Sequence, residues 1–114
     1  MQLPDLNAAF VSDQKISGYL LAPDHPAGSA KARFFHGLGF RLEQPDRLRQ
    51  ALLQHASLEV SSVQATRFGV KYVIEGPIVG PSARVATIRS IWFVEARRPC
   101  AEIHDGIPGI GSTK

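Results

Sequence analysis

The spacing of apolar positions changes once along this chain. Up to about residue 56 it is helical, and beyond that it alternates. Ile16, Tyr19 and Leu20 fall at i, i+3 and i+4, which predicts a short helix over Asp13 to Leu21 capped by Ser12. Pro23 and Pro26 bar helix and predict an ordered loop. Ser29 is the expected cap of a second helix, Ala30 to Leu38. Phe34, Phe35 and Leu38 form its apolar stripe, and Gly39 suits a left-handed stop. Pro45 opens a third predicted helix to about Ala56, with Leu48, Leu52 and His55 near one face.

Strand patterning follows. Leu58 and Val60 alternate in a first strand expected to reach Thr66, and Arg67-Phe68-Gly69 reads as a turn. Val70, Tyr72 and Ile74 share one face of a second strand, with Lys71, Val73 and Glu75 on the other. Gly76 to Ser82 reads as a Gly/Pro loop. Arg84 to Val94 is the longest strand candidate. Ala86, Ile88, Ser90, Trp92 and Val94 lie on one face, and Val85, Thr87, Arg89, Ile91 and Phe93 on the other. Ala101 to Ile103 is expected to add a short fourth strand. Helices first and strands after them imply an α+β fold: N-terminal helices packed on a C-terminal antiparallel sheet of three to four strands. The expected organisation is one domain over residues 1–105 and a flexible tail over 106–114, where glycines and a proline cluster.

Bulk properties narrow this picture. A chain of 114 residues fits one domain and can bury one core. Its 44% hydrophobic content excludes wholesale disorder. The net charge of +3 permits an acidic partner such as RNA without requiring one. Cys100 is the sole cysteine, so an internal disulfide and a multi-cysteine zinc site are both excluded. Met1 to Asp5 is no basic leader, and no apolar run approaches the ~20 residues that span a bilayer. The expectation is a cytoplasmic protein with no membrane contact.

Candidate chemistry centres on four residues. Arg89 lies mid-strand, where a charge must be solvated, paired or functional. Together with Lys71 and Thr87 it can line an open sheet face suited to phosphate, unless Glu75 simply pairs with a cation there. His25, between Asp24 and Pro26, offers an imidazole for proton transfer or a local bond that holds the loop. Lys31 stands in the first turn of the second helix, where a cation slightly opposes the helix dipole. No histidine pair has metal-site spacing, and Gly76-x-x-x-Gly80 lacks the Lys-Ser/Thr of a phosphate loop, so neither metal nor cofactor is expected. Phe34, Phe35 and Trp92 read as core.

Several of these residues also carry a resemblance. The pattern runs Leu3-Pro4, Lys15, Tyr19-Leu20-Leu21, Pro23, His25-Pro26, Gly28, Lys31-Ala32, Phe34-Phe35 and Leu38-Gly39-Phe40. It continues with Gly69, Lys71-Tyr72, Gly76-Pro77, Gly80-Pro81, Arg84, Arg89 and Trp92. It resembles a bacterial domain of unknown function, family 6883, over about Leu3 to Val94. The resemblance implies a compact α+β domain with distant kinship to toxin domains of the RelE, colicin and EndoU-type ribonuclease fold group. Such enzymes cut RNA without metal: a base takes the 2′-hydroxyl proton and cations stabilise the charged phosphorane. Carried over, His25, Lys31, Lys71 and Arg89 become the catalytic candidates. The family's terminal Thr-Ala-Tyr-Pro-like segment is replaced here by Ala101 to Pro108. Two readings follow: a toxin-like, metal-independent ribonuclease acting on RNA, or a non-catalytic module binding a cognate protein in a small toxin–antitoxin-like gene pair. A structural domain using an exposed sheet edge is a third.

Overall fold

The computed structural model describes residues 1–4, 6–22, 24, 29–96 and 98–108. Its helical elements precede an antiparallel sheet, giving the expected α+β architecture. A 3-10 turn at Leu6–Ala8 leads to α1 (Asp13–Lys15). The Ser12 hydroxyl accepts from the Lys15 amide, 3.2 Å away, and so caps this helix. The chain then widens into a π-helical segment, Ile16–Leu20, where the Leu21 amide reaches back five residues to the Ile16 carbonyl. That widening lets Ile16, Leu20 and Leu21 all enter the core.

Helix α2 (Ser29–Gly37) begins at Ser29 itself. It stops in a Schellman arrangement: the Gly39 amide donates to His36 and the Phe40 amide to Phe35, with Gly39 at φ 101°. The accompanying apolar contact is Phe35 against Phe40, with ring centroids 6.2 Å apart. Helix α3 (Pro45–His55) carries Pro45 in its first turn and buries Leu48, Leu52 and His55.

The sheet is a simple meander, β1 (Ser62–Thr66), β2 (Gly69–Val79), β3 (Val85–Glu95) and β4 (Arg98–Pro108), in spatial order β1-β2-β3-β4. Ile74 and Ile78 on β2 and Ile88, Ser90 and Trp92 on β3 turn to the helices. Phe35, Phe40, Leu48, Leu52 and Ile103 meet them there to form the core. Among the described residues no helix is long and apolar enough to cross a membrane.

Three strand limits differ from the sequence expectation. The first strand starts at Ser62, because the Val60 amide is taken by the Met1 carbonyl and sheet pairing begins with Ser61 on Val73. Leu58 and Val60 instead pack against the core's margin. The second strand runs through Gly76-Pro77 to Val79 rather than ending in a loop. Val73 and Glu75 point their backbone groups toward Ser61, so Pro77 shares that direction, and β1 no longer flanks β2 there. No ladder bond is lost. The fourth strand extends well beyond Ala101–Ile103. Phe10 brackets Glu102 in a parallel bridge on its outer edge. Gly106 to Pro108 belong to this strand, and residues 109–114 of the expected tail lie outside the described residues.

Candidate functional site

The site is built around an irregularity in β4. Ile91 pairs with Asp105 while Trp92 pairs with Ile103, so His104 is an extra residue with no partner position on β3. Such a bulge bends the strand and breaks its period-two alternation. Ile103 stays in the core, His104 is exposed and Asp105 is half-buried.

Asp105 meets Lys31, which α2 carries over the edge of the sheet. Lys31 Nζ lies 2.9 Å from Oδ1 and 2.8 Å from Oδ2, and it also donates to the Tyr19 hydroxyl. The Gly106 amide donates to Asp105 Oδ1 at 2.8 Å, which holds the carboxylate in place. Tyr19 comes from the π-helical segment, with Lys31 Nζ 4.7 Å and Lys15 Nζ 4.8 Å from its ring centroid. Burial works against the Lys31 charge, but the bonds to Asp105 and Tyr19 outweigh it, and the Lys31 pKa is raised above 10.5.

His104 responds in the opposite sense. Partial burial disfavours its charged form, and Lys71, Lys15 and Lys31 add repulsion that Asp105 only partly offsets. Its pKa is therefore lowered from 6.5, so the imidazole is neutral at pH 7. Beside it, Ser12, Gln14, Lys15, Gly18, Tyr19 and Glu102 line a cavity of about 330 Å³.

The sequence candidates are thus distributed unevenly. Lys31 and Lys71 both act on His104. Lys71 lies on β2 opposite Phe93. Arg89 lies on the same sheet face, opposite Glu75 and four residues further along β2, about 13 Å at strand rise. Arg89 Nη2 is 3.2 Å from Glu75 Oε2, in a separate depression lined by Ser61, Ser62, Val73 and Ile91. His25 lies outside the described residues. Sequence reasoning missed Lys15, Tyr19, His104 and Asp105 as a group. Lys15 and Tyr19 do stand at i, i+4, a usable signal, whereas nothing local marks the bulge that displays His104.

His36 and His55 are structural. His36 Nε2 lies 3.3 Å from the Leu21 carbonyl. His55 is buried, with Nε2 3.1 Å from the Gly76 carbonyl and Nδ1 2.7 Å from Ser90 Oγ. Among the described residues no group of three or more His, Cys, Asp or Glu side chains could hold a metal.

The sequence matches no curated protein. Its fold is similar to a chain of a contact-dependent growth inhibition toxin–immunity protein complex from Klebsiella pneumoniae 342. That likeness has a TM-score of 0.69 and 16% identity, covering 90% of this chain and 95% of that one. At this identity the likeness establishes a shared fold. The model of the family described as Domain of unknown function (DUF6883) matches residues 2–103, and the chain belongs to that family.

Proposed function

We propose that this domain is toxin-related and cuts RNA without metal, using the cluster at the β4 bulge. The observation that carries this reading is the β4 bulge, where exposed His104 stands within the field of Lys15, Lys31 and Lys71, and partial burial and those charges favour its neutral form. A neutral imidazole takes the 2′-hydroxyl proton, and the freed oxygen attacks the adjacent phosphorus. The lysines stabilise the extra negative charge on the phosphorane. The bond to the 5′-oxygen breaks, and that oxygen takes a proton from a lysine ammonium. The products are a 2′,3′-cyclic phosphate and a 5′-hydroxyl.

Within this reading Lys71 contacts phosphate directly. Lys31, whose three donors are taken by Asp105 and Tyr19, acts through its charge rather than by direct contact. Arg89, further along the sheet, meets a more distant phosphate if it exchanges Glu75 for the ligand. His25 belongs in the same assay as a second proton-transfer candidate. The fold shared with a chain of a toxin–immunity complex supports the toxin-related part.

The test is cleavage of total RNA by the purified domain in excess chelator. His104→Gln and Lys71→Ala should each lower the rate about 100-fold or more. Folded protein that neither cuts RNA nor binds it at low salt removes this reading.

One observation favours a second reading, a module that binds a cognate protein. Lys31 and Arg89 are already neutralised by Asp105 and Glu75. The uncovered sheet face also presents half-buried Val73, Ile91 and Phe93. The structural neighbour comes from a complex of two proteins. Co-purification with the product of an adjacent gene, without RNA cleavage by the free domain, would favour it.

A further inference from the structure

We propose that the cavity between the π-helical segment and β4 is a nucleobase subsite that selects guanine, with Glu102 as the residue that reads it. The proposal rests on the RNA reading above and adds to it a substrate preference.

Three features of the cavity lead there. The first is position: Lys15 lines it and also acts on His104, so a base held here belongs to a nucleotide at the reactive cluster. The second is the polar set. Glu102 lies two residues before His104, and its carboxylate takes no hydrogen bond or ion pair from any described residue. Across the cavity stand Ser12, Gln14 and Lys15. Ser12 Oγ spends a lone pair on the Lys15 amide and keeps its proton to donate. Guanine presents two adjacent donors, N1–H and N2–H₂, which suit a carboxylate's two oxygens. Its O6 and N7 acceptors suit Ser12, Gln14 and Lys15. Adenine and cytosine would set a ring-nitrogen lone pair against the carboxylate, and uracil offers one N–H between two carbonyls.

The third feature is Gly18. It lies inside a helical segment, where glycine is unfavourable, yet packing does not demand it. A Cβ there would meet only Gln14 Cγ, at 3.7 Å. The missing side chain keeps the cavity open. At about 330 Å³ that cavity falls within the size range of small-ligand sites.

The experiment is calorimetric binding of 3′-GMP, 3′-AMP, 3′-CMP and 3′-UMP to the full chain. The expected result is a preference for 3′-GMP of about 10- to 100-fold, the scale of one bidentate base contact. Glu102→Gln should abolish that preference with the melting temperature unchanged. Gly18→Val should weaken nucleotide binding without loss of fold, since it intrudes on open space. Equal affinity for all four nucleotides, no binding, or a guanine preference that survives Glu102→Gln overturns the proposal. Binding of 3′-GMP without RNA cleavage would leave the subsite standing and remove the ribonuclease reading. Cleavage with no base preference would do the reverse.

Discussion

Lys31 and Asp105 are 74 positions apart in sequence, yet the ammonium of one lies 2.8 Å from the carboxylate of the other. The contact ties α2 to the bulged part of β4. Both side chains are about one-fifth exposed, 18% and 21%, so water screens the pair only partly. A double-mutant cycle with Lys31→Met and Asp105→Asn should give a coupling of about 1 kcal/mol. The folded pKa of Lys31 is raised, so its contribution is complete below the unfolded value of 10.5 and lost as pH rises through the folded value. Urea midpoints of wild type and Lys31→Met should converge above that range. A coupling of zero at pH 7 would mean that the pair does not stabilise the fold.

A second prediction concerns the buried chain of polar groups beneath the sheet. Trp92 Nε1 donates to Ser90 Oγ at 2.9 Å, Ser90 donates to His55 Nδ1, and His55 Nε2 donates to the Gly76 carbonyl. Every group is satisfied only if His55 is neutral. Ser90→Ala leaves the indole N–H and the imidazole nitrogen unpaired and should cost about 2–4 kcal/mol. Burial lowers the His55 pKa, although the Gly76 and Ile88 backbone carbonyls favour the charged form. As pH falls through 6.5 the unfolded chain takes up the proton first. Stability should therefore hold above that value and decline toward the folded pKa. His104 adds a smaller decline of the same sign, reduced by its exposure. His55→Gln should flatten most of the decline, and an unchanged slope would move its origin elsewhere.

The tip of the β2–β3 hairpin gives a third. Ser82 Oγ donates to the Leu38 carbonyl at 2.8 Å, which anchors the hairpin to the end of α2. A Cβ on Gly80 would come within 1.9 Å of that carbonyl oxygen, and one on Gly39 within 2.8 Å of the Ser82 amide. Gly80→Ala should cost about 3 kcal/mol or more, because two backbones must separate. Ser82→Ala should cost only about 1 kcal/mol, the value of one hydrogen bond. Equal losses for both variants in chemical denaturation would contradict this account.

Gly39, Ser12 and Pro45 show what kind of feature is legible in this sequence. Each acts through its own backbone or through the next three residues, so local chemistry determines the outcome. The inward face of β3 is legible for the same reason, since alternation needs no knowledge of a partner. Pro77 was misleading because a proline breaks a strand only if its missing N–H faces a neighbour, and that depends on where β1 ends. The candidate site is harder still. Lys31 and Lys71 stand out as charges, but the bulge that turns His104 outward arises from pairing with β3. Without that register, Ala101 to Gly106 reads as a weak end to the chain rather than its chemical centre.

That register leads to the prediction most specific to the site. If His104 is the proton acceptor, cleavage needs its neutral form. The rate should rise with pH and level off below the ordinary histidine value of 6.5, because burial and the neighbouring lysines lower the pKa. Lys71→Ala removes the strongest of those repulsive charges, so the inflection should move up toward 6.5 even as the rate falls. Asp105→Asn removes a carboxylate that favours the imidazolium and should move the inflection down, although it also frees Lys31. A role confined to holding β4 in shape would change the rate in both variants and leave the inflection where it was. Opposite shifts from these two substitutions would therefore assign the titration to His104, whereas an inflection that stays fixed would assign it to another group.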